Sequence, residues 1–337
     1  MPLPRRALLR CGAAAAIAAA ATSCRDAPDG SGTPTPTPAA PPSTRAGAGP
    51  GAAPHTPAWA GEPPPGTLYL GASLPYGRPL RAWERELGST LSVHRSYFRP
   101  DPNETAQLVW RCRDDLAHQR LPHVSTKPPG SWRDVAAGHH DPWLGDILRR
   151  LGRLDAPIFF TVHHEPENDA GAVGMQARDF VAMQRHVIDL AARAAPQVSV
   201  VPVIQHWSFE PLRGAVDPTA WIVEEAPMLG IDVYNPWSPT NGKSWRSFGS
   251  RVDEVVAWTG ERPLAIGEFG SRDDPTHPGA AAQWLRDAAA YARSSSIVSM
   301  SYFNSGVKAP DGSLEMNRPT EQAFAELLAA EWVARPV

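Results

Sequence analysis

The stretch "PIFFTVHHEP", residues 157–166, changes character halfway along its length. Residues 158–162 are apolar or β-branched, which is typical of a buried strand. The apolar run then ends abruptly in His163, His164 and Glu165. The stretch therefore predicts a buried strand that delivers polar side chains to one place.

Seven further segments show the same pattern: each is short, mostly apolar and followed by polar or aromatic residues. They cover residues 67–74, 91–98, 121–129, 198–207, 230–237, 263–270 and 297–305. Helical patterns lie between them, and in residues 177–195 apolar residues recur at three- and four-residue spacing. Eight strands that alternate with helices over about 270 residues predict an α/β fold, a (β/α)8 TIM barrel.

An open doubly wound sheet is the alternative architecture for such an alternation. That fold usually carries a glycine-rich phosphate-binding turn after its first strand. The corresponding segment here, "GASLPYG" at residues 71–77, lacks that pattern and also lacks the nucleophile elbow of a serine hydrolase. The barrel is therefore the preferred prediction.

In a (β/α)8 barrel the active site lies at the C-terminal ends of the strands. Glu165 ends the fourth predicted strand and Glu268 ends the seventh, at near-opposite positions on the ring. Such a pair can flank a glycosidic bond, with one carboxyl group donating a proton and the other attacking the anomeric carbon or activating water. The alternative for an isolated glutamate is a structural ion pair with a neighbouring arginine. Other polar strand-end residues are candidates for the same mouth: His163, His164, Asp232, Tyr234, Asn235, Tyr302 and Asn304.

The order of these motifs resembles that of clan A retaining glycoside hydrolases, most closely glycoside hydrolase family 26, which includes many β-mannanases. The pair His164-Glu165 matches the family's histidine and acid/base glutamate. The segment "AIGEFG", residues 265–270, matches its nucleophile motif. The resemblance implies that Glu165 is the acid/base and that Glu268 is the nucleophile.

Two further segments carry the same resemblance, which spans roughly residues 67–330. Asp232 and Tyr234 match an Asp-x-Tyr on the sixth strand, and this implies that the tyrosine hydrogen-bonds the nucleophile. The loop "AAGHHDPWL" contains Gly138 and Asp141, which match a Gly-x-x-Asp segment before the fourth strand. The family implies a retaining endo-β-glycanase, with β-mannan as the first candidate substrate.

The chain departs from the family's pattern in two places that concern sugar stacking. The acid/base is followed by "PENDAGAVG", residues 166–174, without a tryptophan, and the eighth strand ends in "SYFNS", residues 301–305. The substrate is therefore open among mannan, mixed-linkage glucan, xylan and a bacterial cell-wall polymer. Glu167 competes with Glu165 for the acid role. A catalytically silent surface barrel that binds polysaccharide is the alternative function.

Aromatic and histidine residues supply further candidates for substrate binding or support. Trp207 and Trp237 fall at strand ends or in loops, where indoles can stack on sugars, although tryptophan also fills cores. His94 on the second strand is a candidate for the cleft or for the core. The histidines match no common zinc spacing, so we expect no metal or other cofactor.

Residues 1–24 are typical of an export signal. The segment "PRRALLR", residues 4–10, resembles the twin-arginine pattern, and the apolar stretch after it is too short to span a bilayer. The segment "ATSC", residues 21–24, resembles a bacterial lipobox, which predicts that Cys24 is lipidated and begins the mature protein. An ordinary signal peptide cut nearby is the alternative. Both interpretations place the protein outside the cytoplasm.

The remaining sequence divides into a linker and one domain. Residues 25–65 are rich in proline, alanine, glycine and threonine and predict a disordered tether, and residues 66–337 form the predicted catalytic domain. Cys112 would be the only thiol left in a lipidated mature chain, so no intrachain disulfide is expected. The net charge of -3 and the lack of a basic run argue against a nucleic-acid partner. We expect a monomer that binds polysaccharide and touches the membrane only through its lipid anchor.

Overall fold

The computed structural model describes residues 56–74, 77–210, 217–306 and 313–336. The chain divides into two units, Met1–Pro41 and Pro42–Val337, and every described residue belongs to the second. The predicted export signal, the lipidation site Cys24 and residues 25–55 of the predicted linker lie outside the described residues. Within the described ranges, no helix has the length and apolar character needed to cross a bilayer.

Nine parallel strands form one continuous sheet. They are β1 (Tyr69–Ser73), β2 (Val93–Phe98), β3 (Leu121–Thr126), β4 (Ile158–Val162), β5 (Val198–Val200), β6 (Val203–Gln205), β7 (Leu229–Tyr234), β8 (Leu264–Gly270) and β9 (Ile297–Phe303). Their order in the sheet is β5-β4-β3-β2-β1-β9-β8-β7-β6. The two outermost strands of this order, β5 and β6, are consecutive in the chain, which is the arrangement expected of a ring.

The short link between β5 and β6 closes the ring. Val201 donates its backbone N–H to the carbonyl oxygen of Phe160 in β4 at 2.9 Å, and the carbonyl oxygen of Pro202 accepts from Gly230 of β7 at 2.8 Å. Because proline has no N–H, the ladder is interrupted at Pro202. The segments β5 and β6 are therefore two halves of one strand. The fold is the predicted (β/α)8 barrel, with its fifth strand split in two, so that β7, β8 and β9 are barrel strands six, seven and eight.

Helices pack around the outside of the barrel. They are α1 (Leu80–Leu87), α2 (Pro102–Ala117), α3 (Trp132–Ala136), α4 (Asp141–Gly152), α5 (Ala177–Ala194), α6 (Phe248–Thr259), α7 (Ala280–Arg293) and α8 (Arg318–Leu328). In α5 the residues Phe180, Met183, Val187 and Ala191 are buried, and their spacing of three and four places them on one face of the helix. That face packs into the core layer between helices and sheet.

The N-terminal end of the barrel is filled by apolar side chains from the beginnings of the strands. Tyr69, Leu121 and Phe159 are almost fully buried there. Trp59 packs on this layer, with its ring centroid 5.9 Å from that of Phe159. Ser199 donates its hydroxyl to the carbonyl oxygen of residue 60 at 2.7 Å. The folded domain therefore begins before residue 66. The proline-rich composition around Trp59 did not predict that this tryptophan packs on an apolar surface.

Candidate active site

Glu268 is a carboxylate that two tyrosine hydroxyls hold at the C-terminal end of the barrel. It lies in β8, and its side chain is almost fully buried. The Tyr97 hydroxyl of β2 donates to its Oε1 at 2.6 Å, and the Tyr234 hydroxyl at the end of β7 donates to its Oε2. Burial, followed by the charge of Glu268, raises the pKa of both phenols well above the ordinary value, so both remain protonated donors.

Three carboxylates converge at this end of the barrel. Glu165, Asp232 and Glu268 each present an oxygen atom, and these atoms lie within 4.8 Å of one another. Asp232 is the register partner of Glu268 across β7 and β8, and Glu165 follows directly after β4. The two carboxyl groups of inverting glycosidases are about 6.5–9.5 Å apart, and those of retaining enzymes about 5–5.5 Å. The closest oxygen atoms of Glu165 and Glu268 are thus nearer to each other than the separations of either class.

The backbone that delivers Glu165 is strained. His163 has a φ of 63° and Glu165 a φ of 50°, so both occupy the left-handed region that residues with a side chain rarely adopt. Such conformations cost about 1–3 kcal/mol each and tend to gather at functional sites. The Glu165 N–H donates to the Val203 carbonyl oxygen at 3.0 Å, and Asn168 Nδ2 donates to Glu165 Oε2 at 2.9 Å.

Asp232 is buried within this cluster, with 4% of its surface exposed. Burial, and then the negative charges of Glu268 and Glu165, raise the pKa of Asp232 well above its usual range. Among the described residues, neither of its carboxylate oxygens has a hydrogen-bond partner. Asp232 therefore holds a proton more readily than an ordinary aspartate, and the charge of the cluster is smaller than three carboxylates suggest.

Glu167 has an acid's pKa but the wrong position. Its Oε1 accepts from the backbone N–H of Gln205 at 2.9 Å and from the Ser208 hydroxyl at 2.7 Å. Burial raises the pKa of Glu167 to about 7. Its carboxylate is nevertheless not a member of the cluster that contains Glu268. Of these two glutamates, Glu165 is therefore the one whose carboxylate lies beside Glu268.

The sequence matches no family model and no curated protein. Solved structures do resemble the chain. The β-mannanase from a symbiotic protist of the termite Reticulitermes speratus has a TM-score of 0.53 at 13% identity, and the match covers 80% of this chain and 88% of that one. GH26A from Muricauda sp. MAR_2010_75 has a TM-score of 0.52 at 16% identity, covering 80% and 92%. A modular endo-β-1,4-mannanase of glycoside hydrolase family 26 from Cellulomonas fimi has a TM-score of 0.50 at 16% identity, covering 80% and 72%.

The chain is similar in structure to family 26 glycoside hydrolases. At these identities the likeness shows the shared barrel fold, and it agrees with the resemblance that the sequence motifs indicated. It places the ends of β4 and β8, with Glu165 and Glu268, at the mouth where barrels of this fold carry their active sites.

The two histidines before Glu165 point in different directions. His164 Nδ1 lies 3.1 Å from the Ser125 hydroxyl, and its ring centroid is 5.2 Å from that of Tyr97, so it borders the carboxylates. His163 is buried and turns away from them toward Trp132. Only His164 is placed to contact a substrate.

Tyr302 does not line the cleft, contrary to the sequence-based expectation. It is 1% exposed and packs against Phe269, with ring centroids 5.4 Å apart, in the layer between barrel and helices. Successive side chains of a strand point to opposite faces, so the next residue, Phe303, faces inward instead. Phe303 packs edge-on against Tyr234 at 6.1 Å.

His94 also points away from the cleft, which corrects its assignment to substrate binding. Its Nδ1 lies 2.9 Å from Asp115 of α2, outside the barrel. The inward residues of the same strand are Arg95 and Tyr97, which sequence reasoning missed. The Arg95 guanidinium lies over the Tyr97 ring, 4.7 Å from its centroid. The alternation of "VHRSYF" separates these two faces, but the pattern alone does not say which one lines the barrel.

The remaining predicted site residues lie in three places. Asp141 begins α4, accepts from His186 of α5 at 2.6 Å and is not part of the carboxylate cluster. Asn235 and Asn304 are fully buried and brace the loops after β7 and β9. Trp207 and Trp237 are partly exposed after β6 and β7, and Trp237 packs on Trp245 with ring centroids 5.3 Å apart. These tryptophans keep an exposed aromatic surface that a sugar could stack on.

Proposed function

We propose that the protein is a retaining endo-β-glycanase that hydrolyses a β-linked polysaccharide, with β-mannan as the first candidate. One observation carries the proposal: Glu165 and Glu268 present oxygens within 4.8 Å of each other at the C-terminal mouth of the barrel. The hydrogen bonds that Tyr97 and Tyr234 donate to Glu268 hold its carboxylate in place and support its role as the nucleophile.

The reaction runs in two displacements. Glu268 attacks the anomeric carbon while Glu165 donates its proton to the departing glycosidic oxygen, which leaves a glycosyl-enzyme and a shortened chain. Glu165, now a carboxylate, removes a proton from a water molecule as that water attacks the anomeric carbon from the face that the leaving group had occupied, and Glu268 departs from the opposite face as a carboxylate. Two inversions give net retention at the anomeric carbon.

The choice of β-mannan rests on the similar structures. One of them was solved with a gluco-manno-oligosaccharide, and another is described as an endo-β-1,4-mannanase. Trp237 and Trp245 add an aromatic surface on the loop after β7, where Trp245 is 38% exposed. Sugar rings present flat apolar faces that stack on such surfaces. A polysaccharide is therefore the partner, bound along the mouth of the barrel.

Export and anchoring belong to the same proposal. The segment that resembles a twin-arginine signal and the lipobox-like segment at Cys24 support a protein that is exported and anchored to the membrane by a lipid, with the proline-rich segment as a spacer between anchor and barrel. Mass spectrometry of the protein from native membranes checks this part. An acylated Cys24 at the mature N-terminus is expected, and a retained, unmodified Cys24 would remove the anchor.

A polysaccharide panel tests the function. The purified protein and its Glu268→Gln variant are incubated with β-mannan, mixed-linkage glucan, xylan and bacterial cell-wall polymer, and new reducing ends are measured. We expect the wild type to release reducing ends from β-mannan and the variant to release almost none. Binding without hydrolysis would support the catalytically silent barrel, and equal activity in both proteins would place the chemistry elsewhere.

A further inference from the structure

Four side chains next to Glu165 form a connected set: Trp132, His163, Asp169 and Lys127. We propose that this His163 array positions the acid/base Glu165, with His163 and Asp169 as positioning residues. The inference rests on the proposed function, since it assigns a purpose to residues beside its acid. Sequence patterns gave His163 only a general supporting role, and they did not connect Asp169 or Trp132 with Glu165.

The hydrogen bonds of the array define the protonation of His163. The indole Nε1–H of Trp132 can only donate, and it lies 2.8 Å from His163 Nδ1. Nδ1 is therefore the unprotonated nitrogen, and Nε2 carries the ring proton. Nε2 lies 2.7 Å from Asp169 Oδ2 and donates to it, and Lys127 Nζ lies 2.5 Å from the same oxygen.

His163 is unsuited to proton transfer at the working pH. Its side chain is 3% exposed, and burial lowers the pKa of His163 to about 4 even though Asp169 acts in the opposite direction. The imidazole is thus neutral in the pH range where glycosidases with carboxylic acids operate. Both ring nitrogens are engaged by neighbours, so the ring holds geometry instead of carrying charge.

The array holds together the two ends of the turn that contains Glu165. His163 precedes Glu165 by two residues and Asp169 follows it by four, so their hydrogen bond closes a seven-residue loop around the acid. The single 3-10 turn Pro166–Asn168 fills this loop, and the Asp169 N–H donates to the Pro166 carbonyl oxygen at 3.0 Å.

The strained backbone of this turn explains why the hydrogen bond between His163 and Asp169 is needed. The left-handed conformations of His163 and Glu165 persist only where the surroundings hold them, since each is disfavoured alone. The His163 N–H donates to the Thr126 carbonyl oxygen at 2.8 Å, which fixes the backbone on one side. The side-chain bond to Asp169 fixes the other side. Without it, the turn is free to relax toward right-handed geometry, and the Glu165 carboxyl group moves away from the glycosidic oxygen.

The key variants are Asp169→Ala and Asp169→Asn. The Asp169 side chain is 40% exposed, so its truncation opens no cavity. The asparagine keeps a carbonyl oxygen that can accept from His163 Nε2, and it serves as the conservative rescue. His163→Phe keeps an aromatic ring beside Trp132 and removes both nitrogens. His118→Ala is the matched control, because His118 caps the far end of α2 next to Asp114.

Leaving-group dependence separates positioning from a general structural role. The probes are β-mannan, phenyl β-mannobioside and 2,4-dinitrophenyl β-mannobioside, and only the last needs no proton from Glu165. For Asp169→Ala and His163→Phe we expect kcat/KM to fall about 10–100-fold on the first two and less than about 3-fold on the third. Asp169→Asn should recover most of the loss, and His118→Ala should behave as wild type on all three. Equal losses on all probes, no rescue by Asn, or wild-type rates for Asp169→Ala would each overturn the proposal.

A crystal structure of Asp169→Ala tests the array independently of hydrolysis. We expect the Glu165 carboxyl group to lie beyond 4.8 Å from Glu268, with the φ of His163 or Glu165 changed from its positive value. An unmoved Glu165 would overturn the positioning role even if the wild type proves active. A wild type that cleaves no glycoside would overturn the proposed function, and with it the purpose assigned to the array.

Discussion

The two ends of this barrel are built from the same strands in opposite ways. At the N-terminal floor, Phe159 of β4 packs against Trp59 and Tyr69 with ring centroids 5.9 and 6.3 Å apart. At the C-terminal mouth, the same strand leads into Glu165, whose backbone is left-handed and whose side chain meets two other carboxylates. The floor is apolar and relaxed, whereas the mouth is polar and strained.

This difference indicates that the N-terminal end of the barrel stabilises the fold and that the C-terminal end carries the chemistry. Packing of apolar surface at the floor favours folding, while clustered carboxylates and positive φ angles at the mouth oppose it. Substitutions at the mouth should therefore change activity with little loss of stability, and substitutions at the floor should do the reverse. Four predictions test this separation, from the largest expected effect to the smallest.

The largest effect belongs to Glu268→Ala at the mouth. Removing the nucleophile should lower kcat on β-mannan by about 10⁴–10⁶-fold, since losing a covalent nucleophile has consequences of this size. The melting temperature should stay level or rise, because the deletion relieves repulsion with Asp232 and Glu165. Reducing-end assays and calorimetry provide the two measurements. Added azide should restore some cleavage with inverted product, and a variant with unchanged kcat would exclude Glu268 as the nucleophile.

The next effect separates the two neighbouring glutamates. Glu165→Ala should lower kcat/KM on β-mannan by about 10²–10⁴-fold, the usual contribution of a general acid. Its rate on a dinitrophenyl glycoside should fall far less, because that leaving group departs without a proton. Glu167→Gln is the matched variant and should show no such selectivity. The opposite pattern, with selective loss in Glu167→Gln, would transfer the acid role to Glu167.

A smaller effect is expected at the floor. Trp59→Ala should lower the free energy of unfolding by about 2 kcal/mol, because a half-buried indole loses its contact with Phe159. The kcat/KM at 25 °C should stay at the wild-type value. Trp110→Ala is the control, since Trp110 is 56% exposed on α2 and its loss should change stability by less than about 0.5 kcal/mol. Urea denaturation measures the free energy of unfolding of both variants. Equal losses in Trp59→Ala and Trp110→Ala would contradict the stabilising role of the packing at the N-terminal end of the barrel.

The smallest effect concerns pH and Glu167. Its pKa in the folded protein is about 7, against an ordinary value of 4.5. The folded state therefore keeps a proton that the unfolded state has released, so stability falls as pH rises from 4.5 to 7. The loss should be about 1 kcal/mol, because Glu167 is partly exposed and water screens its charge. Glu167→Gln should flatten this dependence in urea melts at several pH values, and a slope as steep as that of the wild type would contradict the assignment.

The barrel itself could be predicted because its strands are apolar runs with clear ends. Residues 157–166, for example, contain β4 and end in polar residues, as their composition indicated, whereas the positive φ angles of His163 and Glu165 were not predicted. The split of the fifth strand at Pro202 depends on which backbone groups neighbouring strands need, and a single run does not reveal that. Trp59 escaped prediction because one aromatic residue in a proline-rich segment gives no periodic signal.

The site was predictable only where residues stand at the very ends of strands. Glu165, Glu268 and Tyr234 were found in this way, and the structure brings them together. Tyr97 was missed and Tyr302 was misplaced for one reason. Alternation defines two faces of a strand, but the face that looks inward depends on register with the neighbours, and β8 and β9 shift register along their length.

The central claim is that Glu268 forms a covalent bond to the sugar, and one measurement addresses it directly. A 2-deoxy-2-fluoro mannoside with a dinitrophenyl leaving group should form the glycosyl-enzyme quickly and release it slowly, because the fluorine disfavours both transition states while the leaving group rescues the first. Mass spectrometry of the digested protein should then find one mannosyl adduct, on the peptide that contains Glu268. An adduct on Glu165, Glu167 or Asp232, or turnover of the probe with no adduct at any time, would contradict the account.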